Sequence, residues 1–160
     1  MNDFKEAITD RWENSAKGYD EYIQGEINTF KEKQWRKLIL CEVENKNLNI
    51  LDIGTGPGFF SLILSKKGHK LTGIDCSKEM IEVAKKNCEN TNCEFYVMDS
   101  HKLNFQDNTF DMIVCRNVTW TLYNPKEAYK EWTRVLKPNG KLIIFDANWY
   151  LSYFDEDLRR

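Results

Sequence analysis

The spacing of apolar residues changes near residue 46. Before it, Phe4, Ile8 and Trp12 recur at four-residue steps, and Ile27, Phe30, Leu38 and Cys41 keep a roughly helical phase. Gly18 and Gly25 interrupt this stretch, which predicts at least two helices with a break between them. From Asn49 onward, short apolar runs alternate with amphipathic segments. The runs predict strands at 49–53, 70–75, 94–98, 110–115 and 141–146, and the segments between them predict helices at 58–67, 78–89 and 125–136. Met80, Ile81, Ala84 and Cys88 share one face of the second of these helices. Ala128, Trp132, Val135 and Leu136 share one face of the third. Pro138-Asn139-Gly140 is turn chemistry just before the last strand. Strands alternating with helices in this way predict an α/β fold with a doubly wound, mainly parallel sheet.

Composition narrows the class further. At 160 residues the chain has one domain's worth of length, divided here into an N-terminal helical segment, 1–46, and a core, 47–160. Its 23 basic and 25 acidic side chains give a net charge of −2 with lysines scattered along the chain, so no footprint for nucleic acid or an anionic membrane stands out. The apolar runs are too short to cross a bilayer, and MNDFKEAITD lacks the features of a signal peptide, so a cytoplasmic protein is expected. Five cysteines without C-x-x-C spacing are expected as free thiols acting as small core residues.

The segment with most chemistry is Ile50-Leu51-Asp52-Ile53-Gly54-Thr55-Gly56-Pro57-Gly58. In a doubly wound sheet, ligands bind beyond the carboxyl ends of the strands, and glycines there let the backbone approach a ligand closely. A dinucleotide fingerprint would place its third glycine at position 59, which is Phe. Asp52 within the strand would also repel a pyrophosphate, whereas it suits a cationic amine. Asp75, 21 positions after Gly54, closes the second strand and is placed to accept both hydroxyls of a ribose. Asp99 follows the third strand, placed for an adenine amino group with Ser100 beside it. Each of these alone is as consistent with a turn or a helix cap; together they stand at the ends of three successive strands.

These residues resemble the class I S-adenosylmethionine-dependent methyltransferases, in particular the small-molecule branch called methyltransferase type 11. LDIGTGPGFFSLILSKKGHKLTGID is similar to that family's first two motifs, MDSHKLNFQDNTFDMIVCRNV to the stretch through strand four, and LKPNGKLIIFD to strand five. The N-terminal RWENSAKGYD resembles a W-x-x-x-A-x-x-Y-D segment of the family. The resemblance implies a Rossmann-like sheet of order 3-2-1-4-5, an N-terminal helical lid, and methyl transfer from S-adenosylmethionine to a small-molecule acceptor by in-line attack. It implies that Gly54, Thr55, Gly56 and Gly58 hold the methionine portion, while Asp52 orients that loop or bonds the amino group. Asp75 would take the ribose, Cys76 and Met80 would line the adenine, and Asp99 and Ser100 would read its edge. Arg116 and Asn117 would face cofactor and substrate, with Tyr19 and Tyr22 in the lid. His101 is a candidate general base by its ordinary pKa, although a turn histidine is as consistent with its position. Trp120, Tyr123 and Trp149 are candidates for an acceptor pocket.

The family sheet carries two further strands as an antiparallel hairpin, for which this sequence has no counterpart before Arg160. The edge of strand five is therefore expected to pair in a homodimer. A silent S-adenosylmethionine- or S-adenosylhomocysteine-binding module, or a fragment of a methyltransferase, is the alternative. Nucleic-acid methylation is disfavoured: Cys115-Arg116-Asn117-Val118 stands where an amino-methylating enzyme carries an N/D-P-P-Y motif, and no Pro-Cys dipeptide occurs. A metal is not expected, since Asp146 and Asn148 would have Arg116 as their neighbour at strand four. Asp52 and Phe59 also speak against a nicotinamide oxidoreductase.

Overall fold

Along Asn49–Ile53, the first strand (β1), side chains alternate between the two faces of a sheet, and both faces are buried. A computed structural model describes residues 2–41 and 47–147, with side chains from Glu6. The remaining strands are β2 (Lys70–Asp75), β3 (Glu94–Val97), β4 (Phe110–Arg116) and β5 (Leu136–Phe145). All pair in parallel, in the order β3-β2-β1-β4-β5. The helices are α1 (Asn2–Gln24), α2 (Phe30–Leu40), α3 (Phe59–Ser65), α4 (Lys78–Asn87) and α5 (Pro125–Val135). The expected class and strand order are therefore observed, with no antiparallel hairpin among the described residues. No described helix is long and apolar enough to cross a membrane.

One face of the sheet presents Leu51, Ile53, Ile74, Ile113 and Cys115 to α5, whose Ala128, Trp132 and Val135 are fully enclosed. The other presents Ile50, Leu71, Met112 and Val114 to Phe59, Phe60, Ile63 and Leu64 of α3, with Ile23 and Ile39 from α1 and α2. Met80, Ile81, Ala84 and Cys88 of α4 are buried, as their shared face predicts. Ser77 caps α4 through the Met80 N–H, and Asn124 caps α5 ahead of Pro125 at its first turn.

Three expectations are corrected. The break between the first two helices falls at Gly25, and Gly18 lies inside α1 with open space around it. In α2 the apolar set read from sequence points outward: Phe30 is 73% and Leu38 is 53% exposed, and Cys41 is exposed as well. Its inward face is Ile39, half-buried Trp35 and a buried glutamate, Glu32, which forms an ion pair with Arg36 and accepts from the Asn28 N–H. The last strand begins at Leu136, not Lys141. Leu136 pairs with Phe110, and Pro138-Asn139-Gly140 bulges out before Lys141 resumes the register opposite Met112. Asn148 and Trp149 lie outside the described residues.

Candidate cofactor site

At the carboxyl edge of the sheet the ends of β1, β2 and β4 and the segment after β3 surround an open cleft. Gly54 and Gly56 line it from β1, Asp75 and Cys76 from β2, Met80 from α4, Asp99, Ser100 and His101 from beyond β3, and Arg116 and Asn117 from β4. Helix α1 closes one side with Ile8, Thr9, Trp12 and Tyr19. Gly54 has φ +64°, and a Cβ there would stand 2.3 Å from Val118 Cγ2, so only glycine fits the turn.

Asp75 is 9% exposed and faces the cleft. Its Oδ2 accepts from the Gly56 N–H (3.0 Å) and its Oδ1 from the Ser77 N–H (3.0 Å). Burial raises its pKa, opposed by those two bonds. Each carboxylate oxygen retains acceptor capacity beyond its backbone partner. Burial and the adjacent Asp75 carboxylate push the Cys76 thiol up to about 11, which leaves it an apolar wall rather than a nucleophile.

Tyr22 and Trp120 stand outside the lining of the cleft, and so do three of the residues expected to hold the cofactor, Asp52, Thr55 and Gly58. Asp52 is buried beneath the glycine turn, where Oδ2 accepts from the Thr55 hydroxyl (2.7 Å), the Ser61 N–H (3.1 Å) and the Ser61 hydroxyl (2.8 Å). It thereby fills the N-terminus of α3 with a protein carboxylate. Burial raises its carboxyl to about 6, despite the hydrogen bonds from Thr55 and Ser61. Thr55 is spent on the same brace. Gly58 serves packing: a Cβ there would lie 3.2 Å from Ala84 Cβ and from Cys88 Sγ, so its absence lets α3 start close against α4.

Asp99 and His101 line the cleft as a linked unit. Asp99 Oδ1 accepts from the His101 N–H (2.9 Å) and pairs with its Nδ1 (2.8 Å), and Oδ2 accepts from the Tyr123 hydroxyl (2.9 Å). The Asn124 N–H donates to His101 Nε2 (3.3 Å), which leaves Nδ1 as the protonated nitrogen facing Asp99. The imidazole stacks on Tyr123 at 3.6 Å. Both ring nitrogens have partners, so His101 braces the segment after β3. Burial and the Asp99 carboxylate raise the Tyr123 phenol to about 12. The Ser100 carbonyl accepts from Trp132 Nε1 (2.9 Å), tying this wall to the core.

Arg116 is engaged by the N-terminal segment. Its Nη1 donates to Glu26 Oε2 (2.8 Å), and its guanidinium lies over the Trp35 ring at 4.7 Å. Burial by itself would lower the Arg116 pKa, but the Glu26 carboxylate outweighs it and the net shift is upward. Glu26 moves the opposite way: burial raises it, and the hydrogen bond and charge of Arg116 pull it below its usual value. Glu26 had no sequence signal, because its partner stands 90 residues later.

The RWENSAKGYD segment acquires a physical reading. Trp12 lines the cleft and meets Trp120 edge-on at 6.3 Å, and Ala16 is buried. Tyr19 lies against Gly56, and Asp20 accepts from Asn87 Nδ2 (2.8 Å). The turn carrying Trp120 is in turn held by Asp146, which accepts from the Thr119 N–H (2.9 Å) and hydroxyl.

A five-stranded parallel sheet of this order, with its glycine turn and acids gathered at one edge, is the Rossmann-like architecture of the class I methyltransferases. A family profile described as a methyltransferase domain matches residues 51–144, and the chain belongs to that family. The demethylmenaquinone methyltransferase of Staphylococcus aureus (strain MRSA252) is 33% identical over 153 residues, covering 90% of this chain and 61% of that protein. The ubiquinone biosynthesis O-methyltransferase of Coxiella burnetii (strain Dugway 5J108-111) is 32% identical over 114 residues, covering 70% of this chain and 49% of that protein. The crystal structure of the PH0226 protein from Pyrococcus horikoshii OT3 superposes with a TM-score of 0.70 at 31% identity, over 83% of this chain and 65% of that one. The chain thus spans 61% and 49% of the lengths of these two curated relatives.

Proposed function

We propose that this chain binds S-adenosylmethionine in the cleft and transfers its methyl group to a small-molecule acceptor. The observation that carries the reading is the convergence of Gly54, Gly56, Asp75 and Asp99 on one cavity from three successive strands. The residues present suit such a cofactor. Asp75 keeps acceptor capacity for two ribose hydroxyls, Met80 and Cys76 supply apolar flanks for a base, and Asp99 and Ser100 stand at the adenine edge. The turn at Gly54 and Gly56 admits the amino-acid tail where any Cβ would intrude. Asp52, Thr55 and Gly58 act from below by fixing the shape of that turn.

S-adenosylmethionine, when bound, supplies a methyl group already activated by its sulfonium and open to in-line displacement by an acceptor. The acidic walls favour that cation, and Tyr19 presents an aromatic ring beside Gly56. Trp12 and Tyr19 exclude water from the same space. With His101 engaged at both nitrogens, the acceptor enters as a neutral amine or an already ionised oxygen or carbon nucleophile. Residues 1–46 form the lid and 47–160 the core in this account, with Arg116 linking the two through Glu26. The quinone-pathway names of the two curated relatives support a small organic acceptor. At the sheet edge, Leu142 and Ile144 are each 37% exposed, which supports pairing of β5 with a second copy of the chain. A monomeric mass at tens of micromolar would remove that last element.

The test is formation of S-adenosylhomocysteine from S-adenosylmethionine with a panel of phenol, amine and carbon-acid acceptors. Turnover with any acceptor supports the proposal. Tight cofactor binding without turnover across the panel supports a silent binding module instead.

A further inference from the structure

Helix α4 begins directly after Asp75-Cys76-Ser77, and the N–H groups of its first turn all have partners. Lys78 N–H donates to Glu13 Oε1 (2.7 Å) and Glu79 N–H to Glu13 Oε2 (3.0 Å), while Met80 N–H donates to Ser77 Oγ (3.1 Å). Glu13 belongs to α1 and stands 65 residues before Lys78. A carboxylate shared between two N–H groups at a helix N-terminus gains both charge-assisted bonds and the favourable end of the helix dipole. At the other end of α4, Asn87 Nδ2 donates to Asp20 Oδ1 (2.8 Å) and to the Pro57 carbonyl (2.9 Å). Glu13 and Asp20 therefore rest on opposite ends of α4, and Trp12 and Tyr19 project from the same part of α1 to the cleft.

We infer that Glu13 is a positioning residue: by seating α1 on the N-terminus of α4, it sets the closed position of the roof and ties it to occupancy of the adenosine end of the site. The link is a single turn of chain. Ser77 N–H donates to Asp75 Oδ1, and the next N–H along, that of Lys78, donates to Glu13. A ligand that orders Asp75 and Ser77 also orders the seat of α1, and an undocked α1 leaves two N–H groups of that seat without their carboxylate. The seat itself is independent of the ligand. Its coupling to ligand rests on the cofactor reading proposed above.

Hydrogen exchange of backbone amides, with and without S-adenosylhomocysteine, tests both parts. Glu13→Ala removes the seat, Glu13→Gln keeps one acceptor oxygen, and Lys17→Ala, exposed on the same helix, serves as control. Without ligand, amides in residues 9–20 should exchange about tenfold faster in Glu13→Ala, by an intermediate factor in Glu13→Gln, and unchanged in Lys17→Ala. S-adenosylhomocysteine should slow exchange across α1 in the wild-type chain, and Glu13→Ala should lose that protection while core-strand amides keep theirs. A general structural role would not separate the two sets of amides. Wild-type exchange of α1 in Glu13→Ala overturns the seat, and retained ligand protection there overturns the coupling. Should the wild-type chain bind no S-adenosylhomocysteine, the cofactor reading and the coupling fall together, while the ligand-free comparison still decides the seat.

Discussion

The central sheet and the helix that roofs its carboxyl edge are held by different groups. In the sheet, Leu51, Ile53, Ile113 and Val114 are enclosed, with Trp132 and Phe60 packed over them. Helix α1 adds Ala16 and Ile23 to the buried set and rests Trp12 on Trp120 and Tyr19 beside Gly56, and its polar contacts run through Glu13, Asp20 and Gln24, with Glu26 in the turn that follows. Apolar side chains lose their stabilisation when a cavity opens among them, so such a core unfolds as a unit. Polar clasps exchange protein partners for water at small net cost, so an element held by them can leave and return. The cleft lies at the boundary between these two kinds of contact.

The largest effect should come from the sheet. Trp132→Ala removes a fully buried indole and its bond to the Ser100 carbonyl, and should cost about 3–5 kcal/mol in denaturant unfolding, with all regions lost together. A midpoint shift confined to α1 would contradict the division.

Next is the acid under the glycine turn. Asp52 titrates near 6 in the folded chain, above an ordinary value of 3.8, so the folded state holds more protons than the unfolded one between about pH 4 and pH 6. Stability from this group is therefore fully present below that window and falls as pH rises through it, by roughly 3 kcal/mol. Asp52→Asn should abolish that component of the slope in unfolding measured across the window; an unchanged slope would place Asp52 in a more solvated setting.

Asp75→Ala joins sheet and ligand. It should weaken S-adenosylhomocysteine binding by about 1.5–3 kcal/mol, the range for lost charged hydrogen bonds, and equal affinity would remove Asp75 from the ribose role. The smallest effect belongs to the polar contacts: Glu26→Gln leaves Arg116 short of a counter-charge. The cost, about 1–3 kcal/mol, should emerge as faster exchange in α1 and α2 with little change in global stability. A loss of global stability equal to that of Trp132→Ala would show that the clasp belongs to the core.

What was legible in the sequence follows the same division. Strands buried on both faces read as short apolar runs, so β1, β2 and β4 fall where their composition puts them, and Asp75 is visible as the acid that closes β2. Spacing could not tell that Gly58 makes room for Ala84 and Cys88, or that Asp52 turns inward to Ser61. In α2 the exposed Phe30 and Leu38 imitate a core face, while Glu32 is buried because Arg36 and the Asn28 N–H are there to receive it. The onset of β5 was hidden by Pro138-Asn139-Gly140, a turn by composition that the sheet accommodates as a bulge. Glu13 and Glu26 carry no local signal, since each is defined by a partner at least 65 residues away.

On the proposed function, the cleft receives an adenosine-bearing sulfonium cofactor and rejects a dinucleotide, because Asp52 accepts from the Ser61 N–H in the first turn of α3, where a pyrophosphate would sit. Calorimetric titration of the chain with S-adenosylhomocysteine, with NADH in parallel, tests it most directly. S-adenosylhomocysteine should bind with a dissociation constant on the order of micromolar, about −8 kcal/mol, and NADH should give no heat. Binding of NADH without S-adenosylhomocysteine would contradict it.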